Sequence, residues 1–279
     1  RPRYAGGRNG IGATATNVMS ASFEVEVGDP VNHQKFQQTY TNNLGNRTKP
    51  KIRSFSQKKG YVKCTFTPDY SLFKMSGMDD TIYRLFKTRV YDIAGTTSKN
   101  IRVHWNGSVV PIKTFQDWTN LVIGSDRVAV PRATDIVVDK DKVVRCEYVL
   151  AKSSSGGFQC AGFVNGIRCS SGQHIKQIEK AIFDRVTMSV KRKIKDKAQK
   201  NKTIPSDMIR KNMVLLMRCL VDKPTFMSQT KDVLGSTMSD LGYRYAMSKT
   251  CASSIVRTGI PDAVADAFEN KGLADVSKK

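Results

Sequence analysis

Apolar and polar residues follow one another along the chain in patterns that predict both strands and helices. The segment SFEVEV, residues 22–27, alternates with the period of two that is typical of a strand, and YVKCTFTP, residues 61–68, does the same. From about Asp79 to Ala94 the apolar residues return at helical spacing. A shorter helix is predicted to end near Ser20. The first third of the chain is therefore expected to be mixed α/β.

A tight turn and a domain boundary are predicted next. Asn106 and Gly107 form a pair that tolerates positive φ at both central positions of a hairpin turn, so the apolar residues around them are expected to form a hairpin. A second unit is predicted to begin near Lys113. The sequence thus predicts two domains, residues 1–112 and residues 113–279.

The second unit shows its own sequence of elements. Strands are predicted at KVVRCEYVLA, residues 142–151, and at FQCAGFVNGIR, residues 158–168, with the flexible KSSSGG between them. An amphipathic helix is predicted around residues 175–186, where isoleucine and valine fall on one face. The run MVLLMRCLV, residues 213–221, is typical of a buried strand, and the tail from Asp240 is helical in character.

Composition favours a globular chain with a core, because 39% of the 279 residues are hydrophobic and 25% are charged. No apolar run approaches the roughly 20 residues of a membrane span, so no membrane partner is expected. The first residues, RPRYAGG, look like the middle of a domain. We therefore expect the chain to be part of a longer polypeptide.

The charge points to a polyanionic partner. Lysine and arginine outnumber the acids 46 to 24, which gives a net charge of +22 and favours nucleic acid, although a merely soluble basic surface is the alternative. Seven basic residues and no acid lie between Arg47 and Lys63, and seven of residues 189–202 are basic with only Asp196 opposing them.

Cysteine and histidine do not suggest a metal site. The six cysteines form no C-x-x-C pair and are expected to be reduced thiols of the cytosol or nucleus. The histidines at positions 33, 104 and 174 match no zinc-ligand spacing, so each is expected to be structural or exposed.

The stretch GGRNGIGA, residues 6–13, contains four glycines ahead of a predicted helix. Its GIGATA part fits the dinucleotide pattern G-x-G-x-x-A, with Glu24 or Glu26 as the ribose-binding acid. That fold needs a strand before the first glycine, and only five residues precede the stretch. A Walker A loop is excluded because no Gly-Lys-Ser/Thr follows. A glycine-rich turn without a ligand is the remaining alternative.

The longer pattern resembles the GHKL ATPases found in type II DNA topoisomerases, whose glycine box and ATP lid are similar to GGRNGIGA followed by a helix. Four more segments occur in that family's order and approximate spacing: TRVYDIAGTT (Thr88–Thr97), VHWNGSVVPIKTF (Val103–Phe115), GFVNGIRCSSGQHI (Gly162–Ile175) and PTFMSQTK (Pro224–Lys231). The form PTFxSQTK is similar to the eukaryotic type.

The resemblance implies a two-domain α+β and α/β fold. Residues 1–112 would be the back half of a GHKL (Bergerat-type) ATP-binding α/β sandwich, and residues 113–279 a transducer domain of ribosomal-protein-like α/β fold. It further implies an ATP-dependent type II DNA topoisomerase, an isomerase that acts as a homodimer on double-stranded DNA. Such an enzyme is expected in the nucleus, or in the cytoplasm or virion if viral.

In the family, a segment before the glycine box supplies the glutamate that activates water, the asparagine that holds Mg²⁺ and the aspartate that reads adenine. This segment is expected to lie outside the present chain, so no catalytic residue and no metal ligand are assigned here. The chain by itself is accordingly expected to be inactive as an ATPase.

The resemblance carries two sets of ATP-binding residues onto this sequence. The first set is the glycine loop: Gly7, Arg8, Asn9, Gly10, Ile11, Gly12, Ala13 and Thr14. Its glycines let backbone N–H groups converge on phosphate oxygens, and the following helix adds the positive end of its dipole. Thr14 stands where the family usually has lysine. The second set is Gln229, Thr230 and Lys231, whose lysine would meet the γ-phosphate.

DNA contacts are implied at Lys191, Arg192 and Lys193, with Lys195 and Lys197 as neighbours. Lysine and arginine contacts to phosphates carry affinity and little sequence information. No aromatic residues interleave with the cluster, which favours duplex over single strands. A solvated helix end is the alternative. The nine tyrosines are not assigned the DNA-cleaving role, because the family's tyrosine belongs to a later domain.

Two other functions stay open on the sequence. A mismatch-repair ATPase shares the two-domain GHKL architecture, although the PTFMSQTK context argues against it. A non-catalytic, basic nucleic-acid-binding protein of ribosomal type would explain the charge, but would leave the glycine box and the Q-T-K loop as coincidences.

Overall fold

The computed structural model describes residues 3–7, 9–125, 130–141, 143–195 and 197–276. The chain divides into two compact units. We call residues 7–86 the N-terminal unit, and residues 87–276 together with residues 3–6 the C-terminal unit. Each unit is described by itself.

The N-terminal unit is a short helix and an antiparallel sheet. Its elements are α1 (Ile11–Val18), β1 (Ser20–Asp29), β2 (Gln34–Thr41), β3 (Asn46–Arg47), β4 (Lys51–Ser54), β5 (Tyr61–Pro68) and the first turns of α2 (Asp80–Thr96), with a 3₁₀ turn at Tyr70–Phe73. Strand β1 lies between β2 and β5, and both β3 and β4 pair with β2. The predictions of strands β1 and β5 and of helices α1 and α2 are confirmed, whereas β2, β3 and β4 were not predicted.

In the C-terminal unit, a hairpin and a capped helix follow the end of α2. Strands β6 (His104–Trp105) and β7 (Ser108–Val109) meet at Asn106 and Gly107, which have φ of 49° and 81°, so the predicted turn is confirmed. Helix α3 (Phe115–Ile123) was not predicted. It begins with a capping box, in which Thr114 and Asp117 each accept a hydrogen bond from the other's backbone N–H.

The main sheet of this unit has the strand order β11-β10-β12-β9-β8. Its strands are β8 (Arg132–Val138), β9 (Val144–Lys152), β10 (Gln159–Val164), β11 (Ile167–Cys169) and β12 (Met213–Cys219). The β10–β12 pair is parallel and the other pairs are antiparallel. Strands β9 and β12 were predicted, and β8 was not. The single strand predicted over residues 158–168 is wrong in part, because a turn at Asn165 and Gly166, with φ of 50° and 80°, divides it into the antiparallel pair β10 and β11. Strand β12 is buried almost throughout because it lies inside the sheet with both faces covered, which explains its continuous apolar run.

Helices cover both faces of this sheet. Helices α4 (Gln173–Lys193), α7 (Lys249–Val256) and α8 (Ile260–Val276) pack on one face, where Ile178, Ile182 and Val186 are fully buried. Two short helices, α5 (Lys197–Lys200) and α6 (Ser206–Arg210), precede β12. The end of α2 and helix α3 cover the other face through Ala94, Phe115 and Trp118.

The limits of the compact units differ from the predicted domain boundary. The units meet within α2, between residues 86 and 87, because the end of α2 and the hairpin share one core with α3. The predicted division at 112/113 therefore does not coincide with a limit between compact units, and as a domain boundary it stays a prediction. The mixed α/β fold itself is confirmed. Among the described residues, no helix combines the length and the apolarity that crossing a membrane requires.

Candidate nucleotide and DNA sites

The glycine loop leaves open space at the start of α1. Gly10 precedes the helix with φ of 68°, a left-handed conformation that glycine adopts without strain. A Cβ atom built on Gly7, Gly10 or Gly12 would meet no heavy atom within 4 Å. Among the described residues, no side chain caps the helix, and its first turn contains no acid, so no described acid or capping group neutralises its first N–H groups and the positive end of its dipole.

The other predicted loop residues are exposed. Asn9, Ile11, Ala13 and Thr14 all lie on the surface of the N-terminal unit, and Arg8 lies outside the described residues. This arrangement can present several backbone N–H donors to an anion. The side chain of Thr14 can add a hydroxyl, not a charge.

Gln229, Thr230 and Lys231 lie at the tip of a narrow loop, residues 223–236, which we call the Q-T-K loop. Phe226 and Leu234 bridge its two sides, and the N–H of Met227 donates to the carbonyl of Val233 at 3.0 Å. Gln229 and Thr230 are exposed. Lys231 has φ of 62°, and its side chain forms no ion pair with any described residue.

A second segment holds the backbone of Lys231 in place. The segment between β11 and α4 runs beside the Q-T-K loop: the N–H of Ser170 donates to the carbonyl of Asp232 at 2.7 Å, and the N–H of Leu234 donates to the carbonyl of Ser171 at 2.9 Å. The Cys169 thiol donates to the carbonyl of Lys231 at 3.3 Å. The backbone of the lysine is therefore fixed, while its ammonium group remains available.

Gly172 and His174 explain why the two segments lie so close. A Cβ atom on Gly172, whose φ is 145°, would stand 2.6 Å from Cβ of Leu234 and 2.8 Å from Nδ1 of His174. His174 is fully buried and neither ring nitrogen has a partner among the described atoms. Burial lowers the pKa of His174 to about 4, so the ring is neutral near pH 7. Of the two expectations for this histidine, structural or exposed, the structural one is confirmed, because His174 is buried.

The residues just before the glycine loop are bound to the C-terminal unit. The N–H of Arg3 donates to the Asp222 carboxylate at 2.6 Å, and the N–H of Lys223 donates to the carbonyl of Arg3 at 3.1 Å. The Arg145 guanidinium donates to the hydroxyl of Tyr4 at 2.7 Å. Sequence reasoning missed this anchor, which ends at the first residues of the Q-T-K loop.

The predicted DNA contacts occupy the last turn of α4. Lys191 is half-buried and Arg192 is exposed, and neither forms an ion pair with a described residue. Lys193 instead pairs with the carboxylate of Asp262 at the start of α8. Cations at a helix C-terminus also interact favourably with the dipole. Both the DNA contact and the solvated helix end are therefore compatible with this turn.

Just beyond α4, the neighbouring Lys195 and Lys197 are exposed.

The segment TRVYDIAGTT contributes a buried carboxylate. Asp92 is 2% exposed; its Oδ1 accepts a hydrogen bond from Nε1 of Trp118 at 3.1 Å, and Arg89 and Arg168 approach its Oδ2 to 3.8 and 3.9 Å. Burial raises the pKa of Asp92, and the arginines and the indole oppose the shift. A cavity of about 310 Å³ lies beside it. Within the described ranges, no three His, Cys, Asp or Glu side chains are grouped so as to hold a metal ion.

Comparison with known proteins gives consistent matches. Residues 114–270 match the family model described as DNA gyrase B. DNA topoisomerase 2 of Candida albicans is 33% identical over an alignment that covers 99% of this chain and 20% of that protein. DNA topoisomerase 2 of Arabidopsis thaliana is 30% identical, with 97% and 18% covered. The chain thus spans about a fifth of the length of these relatives.

Two solved structures have the same fold over nearly the whole chain. The ATPase region of Saccharomyces cerevisiae topoisomerase II superposes with a TM-score of 0.83 at 29% identity, covering 96% of this chain and 66% of that one. The ATPase and transducer domains of DNA topoisomerase II from Balamuthia mandrillaris give a TM-score of 0.86 at 28% identity, with 98% and 67% covered.

Proposed function

Because the chain belongs to the type II DNA topoisomerase family, we propose that it is the ATPase and transducer portion of an ATP-dependent type II topoisomerase. In this proposal it binds the phosphates of ATP and couples hydrolysis to closure of a dimeric gate and passage of duplex DNA. Family membership argues against a mismatch-repair ATPase and against a ribosomal-type protein.

The glycine loop is the proposed phosphate-binding element. Its support is the open space at Gly7, Gly10 and Gly12 together with the uncapped start of α1. An anion at such a helix start receives backbone N–H hydrogen bonds and is stabilised by the dipole. ATP is normally used with Mg²⁺, but the described residues offer no metal-ligand cluster, so no step is assigned to Mg²⁺.

Lys231 is the proposed γ-phosphate contact, and the observation that carries this proposal is the geometry of the Q-T-K loop. The backbone of Lys231 is held by hydrogen bonds, while its ammonium group has no ionic partner among the described residues. A charged hydrogen bond contributes roughly 1.5–3 kcal/mol. That difference shifts a two-state equilibrium by about 10- to 150-fold, and it exists only while the γ-phosphate is present.

The remaining partners follow from the same proposal. Lys191 and Arg192 would contact DNA phosphates, whereas Lys193 would have to leave Asp262 to do so. The complete enzyme would act as a homodimer in the nucleus, or in the cytoplasm or virion of a virus.

The Lys231→Ala variant of the complete enzyme tests the proposal. We expect thermal stability to stay near that of the parent and nucleotide affinity to fall moderately. DNA relaxation should fall by about 10- to 150-fold, because loss of the charged bond lowers the ratio of closed to open enzyme by that factor. Lys223→Ala is the matched control, because Lys223 lies on the same loop, is exposed and also has a positive φ of 48°. Unaltered relaxation in Lys231→Ala would refute the γ-phosphate role, and a large drop in melting temperature would make Lys231 structural.

A further inference from the structure

The sheet of the N-terminal unit has one strongly basic face. In the strand register, Lys51 lies opposite Gln37, Gln37 opposite Glu26, and Glu26 opposite Lys63. In the next row Arg53 lies opposite Lys35. Since residues opposite each other in a sheet point to the same side, the basic residues of these two rows share one face.

The other face of the same strands is apolar. Ile52 lies opposite Phe36, Phe36 opposite Val27, and Val27 opposite Val62. The alternation along each strand therefore separates cations from apolar side chains. We call Lys51, Arg53 and Lys63 the basic sheet face.

The acids of this face form no ion pair with these three cations, although the charge of Lys63 contributes to the lowered pKa of Glu26. Glu26 pairs with Lys35 at 2.7 Å and accepts a hydrogen bond from the hydroxyl of Tyr61 at 2.6 Å. Glu24 accepts a hydrogen bond from Thr39 at 3.1 Å. The Lys35 ammonium and the Tyr61 hydroxyl hold the pKa of Glu26 below its ordinary value, so Glu26 stays ionised and committed to that pair.

The basic sheet face itself is open. All four residues of β4 are exposed, as is Lys63 on β5. Lys51, Arg53 and Lys63 form no ion pair with any described residue. The segment from Arg47 to Lys63 contains four further basic residues and no acid, which adds to the positive potential.

The spacing of the three cations suits duplex DNA. Lys51 and Arg53 stand about 7 Å apart along one strand, and Lys63 lies three strands away, at about 14 Å. The second distance is close to the roughly 12 Å width of the major groove, so phosphates on both sides of a groove are within reach. Tyr61 is the aromatic residue of these two rows, and its ring packs against that of Phe55, with the ring centroids 5.8 Å apart. Without a free stacking platform, the face favours a duplex over a single strand.

We propose that the basic sheet face binds the phosphate backbone of duplex DNA, as a contact separate from the end of α4. The proposal extends the proposed function, because it assigns DNA binding to the N-terminal unit as well. It assigns a function to the basic run from Arg47 to Lys63, which is not part of the proposed ATP site.

The test compares three triple variants of the 279-residue chain on a 20-base-pair duplex, by fluorescence anisotropy between 50 and 200 mM KCl. The first replaces Lys51, Arg53 and Lys63 with glutamine. The second replaces Lys191, Arg192 and Lys193 with glutamine. The third replaces Lys140, Lys176 and Lys249 with glutamine; these three are exposed and form no ion pair with a described residue, so they match the charge removed.

The sheet variant is expected to lower the slope of log affinity against log salt by about 2.7, or about 0.9 per phosphate. This change corresponds to about 40-fold of affinity between the two salt concentrations. The control variant should keep nearly the parent slope, and a Lys51→Arg, Lys63→Arg double variant should keep the parent affinity. Circular dichroism and melting temperature verify that each variant is folded.

Four outcomes would overturn the inference. A parent slope in the sheet variant, alongside a reduced slope in the α4 variant, leaves the proposed function standing and removes the sheet contact. If the control variant loses as much of the salt slope as the sheet variant, the effect comes from net charge and not from this face. Stronger competition by a 20-nucleotide single strand than by the duplex contradicts the assigned partner. Absence of DNA binding by the parent overturns both this inference and the DNA-binding part of the proposed function.

Discussion

Gly172→Ala is expected to weaken the C-terminal unit at the position where the Q-T-K loop is held. The new Cβ atom would stand 2.6 Å from Cβ of Leu234 and 2.8 Å from Nδ1 of His174. Real Cβ atoms do not approach other heavy atoms so closely, so one of the two segments must move. The backbone adds to the cost, because Gly172 has φ of 145°, where side chains of L-residues are strained.

Both costs have known magnitudes. Backbone strain of this kind is worth about 1–3 kcal/mol and overpacking typically about 1–3 kcal/mol, so the free energy of unfolding should fall by roughly 2–6 kcal/mol. For a unit of this size, at about 2–4 °C per kcal/mol, that loss lowers the melting temperature by roughly 4–24 °C. If the Q-T-K loop shifts to relieve the contact, nucleotide-dependent closure of the complete enzyme should weaken as well.

Two other glycines serve as controls for the separate costs. Gly156 has φ of 70° and open space around it, so Gly156→Ala reports backbone strain alone. Gly157 has no positive φ and its nearest neighbour is 4.0 Å away, so Gly157→Ala should change little. The assay is urea unfolding of each variant beside the parent. A Gly172→Ala chain no less stable than Gly156→Ala would refute the steric argument.

Two further predictions concern His174 and Thr14. Burial lowers the pKa of His174 to about 4 from 6.5, so between these pH values the unfolded chain binds more protons than the folded chain. The contribution of His174 to the free energy of unfolding should therefore be complete above pH 6.5. It should fall by up to about 3 kcal/mol as the pH drops to 4. Urea unfolding against pH checks this, and His174→Leu should flatten the dependence in that window; an unchanged dependence would contradict it. Thr14→Lys should tighten nucleotide binding about 5- to 10-fold, because a charge-assisted hydrogen bond is about twice as strong as a neutral one. Isothermal titration of ATP into the complete enzyme measures this affinity, and Lys74→Gln, at an exposed position, is the control. If the Thr14→Lys variant and the parent bound ATP with equal affinity, Thr14 would not belong to the phosphate site.

The elements that the sequence predicted are those whose pattern of residues lies within the element itself. Strands β1 and β5 alternate with a period of two, β12 is a continuous apolar run, and the Asn106-Gly107 turn needs the positive φ that its residues tolerate. Strand β2, QKFQQTYT, was not predicted because few of its residues are apolar, so its sequence shows no alternation of apolar and polar positions. Six of its eight residues are half-buried in the structure. Its strand conformation comes from pairing with β1 on one side and β3 and β4 on the other.

The candidate site divides in the same way. The sequence by itself determined the glycine loop, the Q-T-K residues and the basic runs, because glycine content, charge and motif order belong to residue types. Only the tertiary structure decided that Ser170 and Ser171 hold the Q-T-K loop, that Asp222 holds Arg3, and that Lys193 pairs with Asp262. The first contact joins backbone groups on both sides, and the second joins the backbone N–H of Arg3 to a carboxylate; since nearly every residue carries these backbone groups, residue types do not show which ones pair. The Lys193 pair joins residues 69 positions apart, and only the packing of α8 against α4 brings them together.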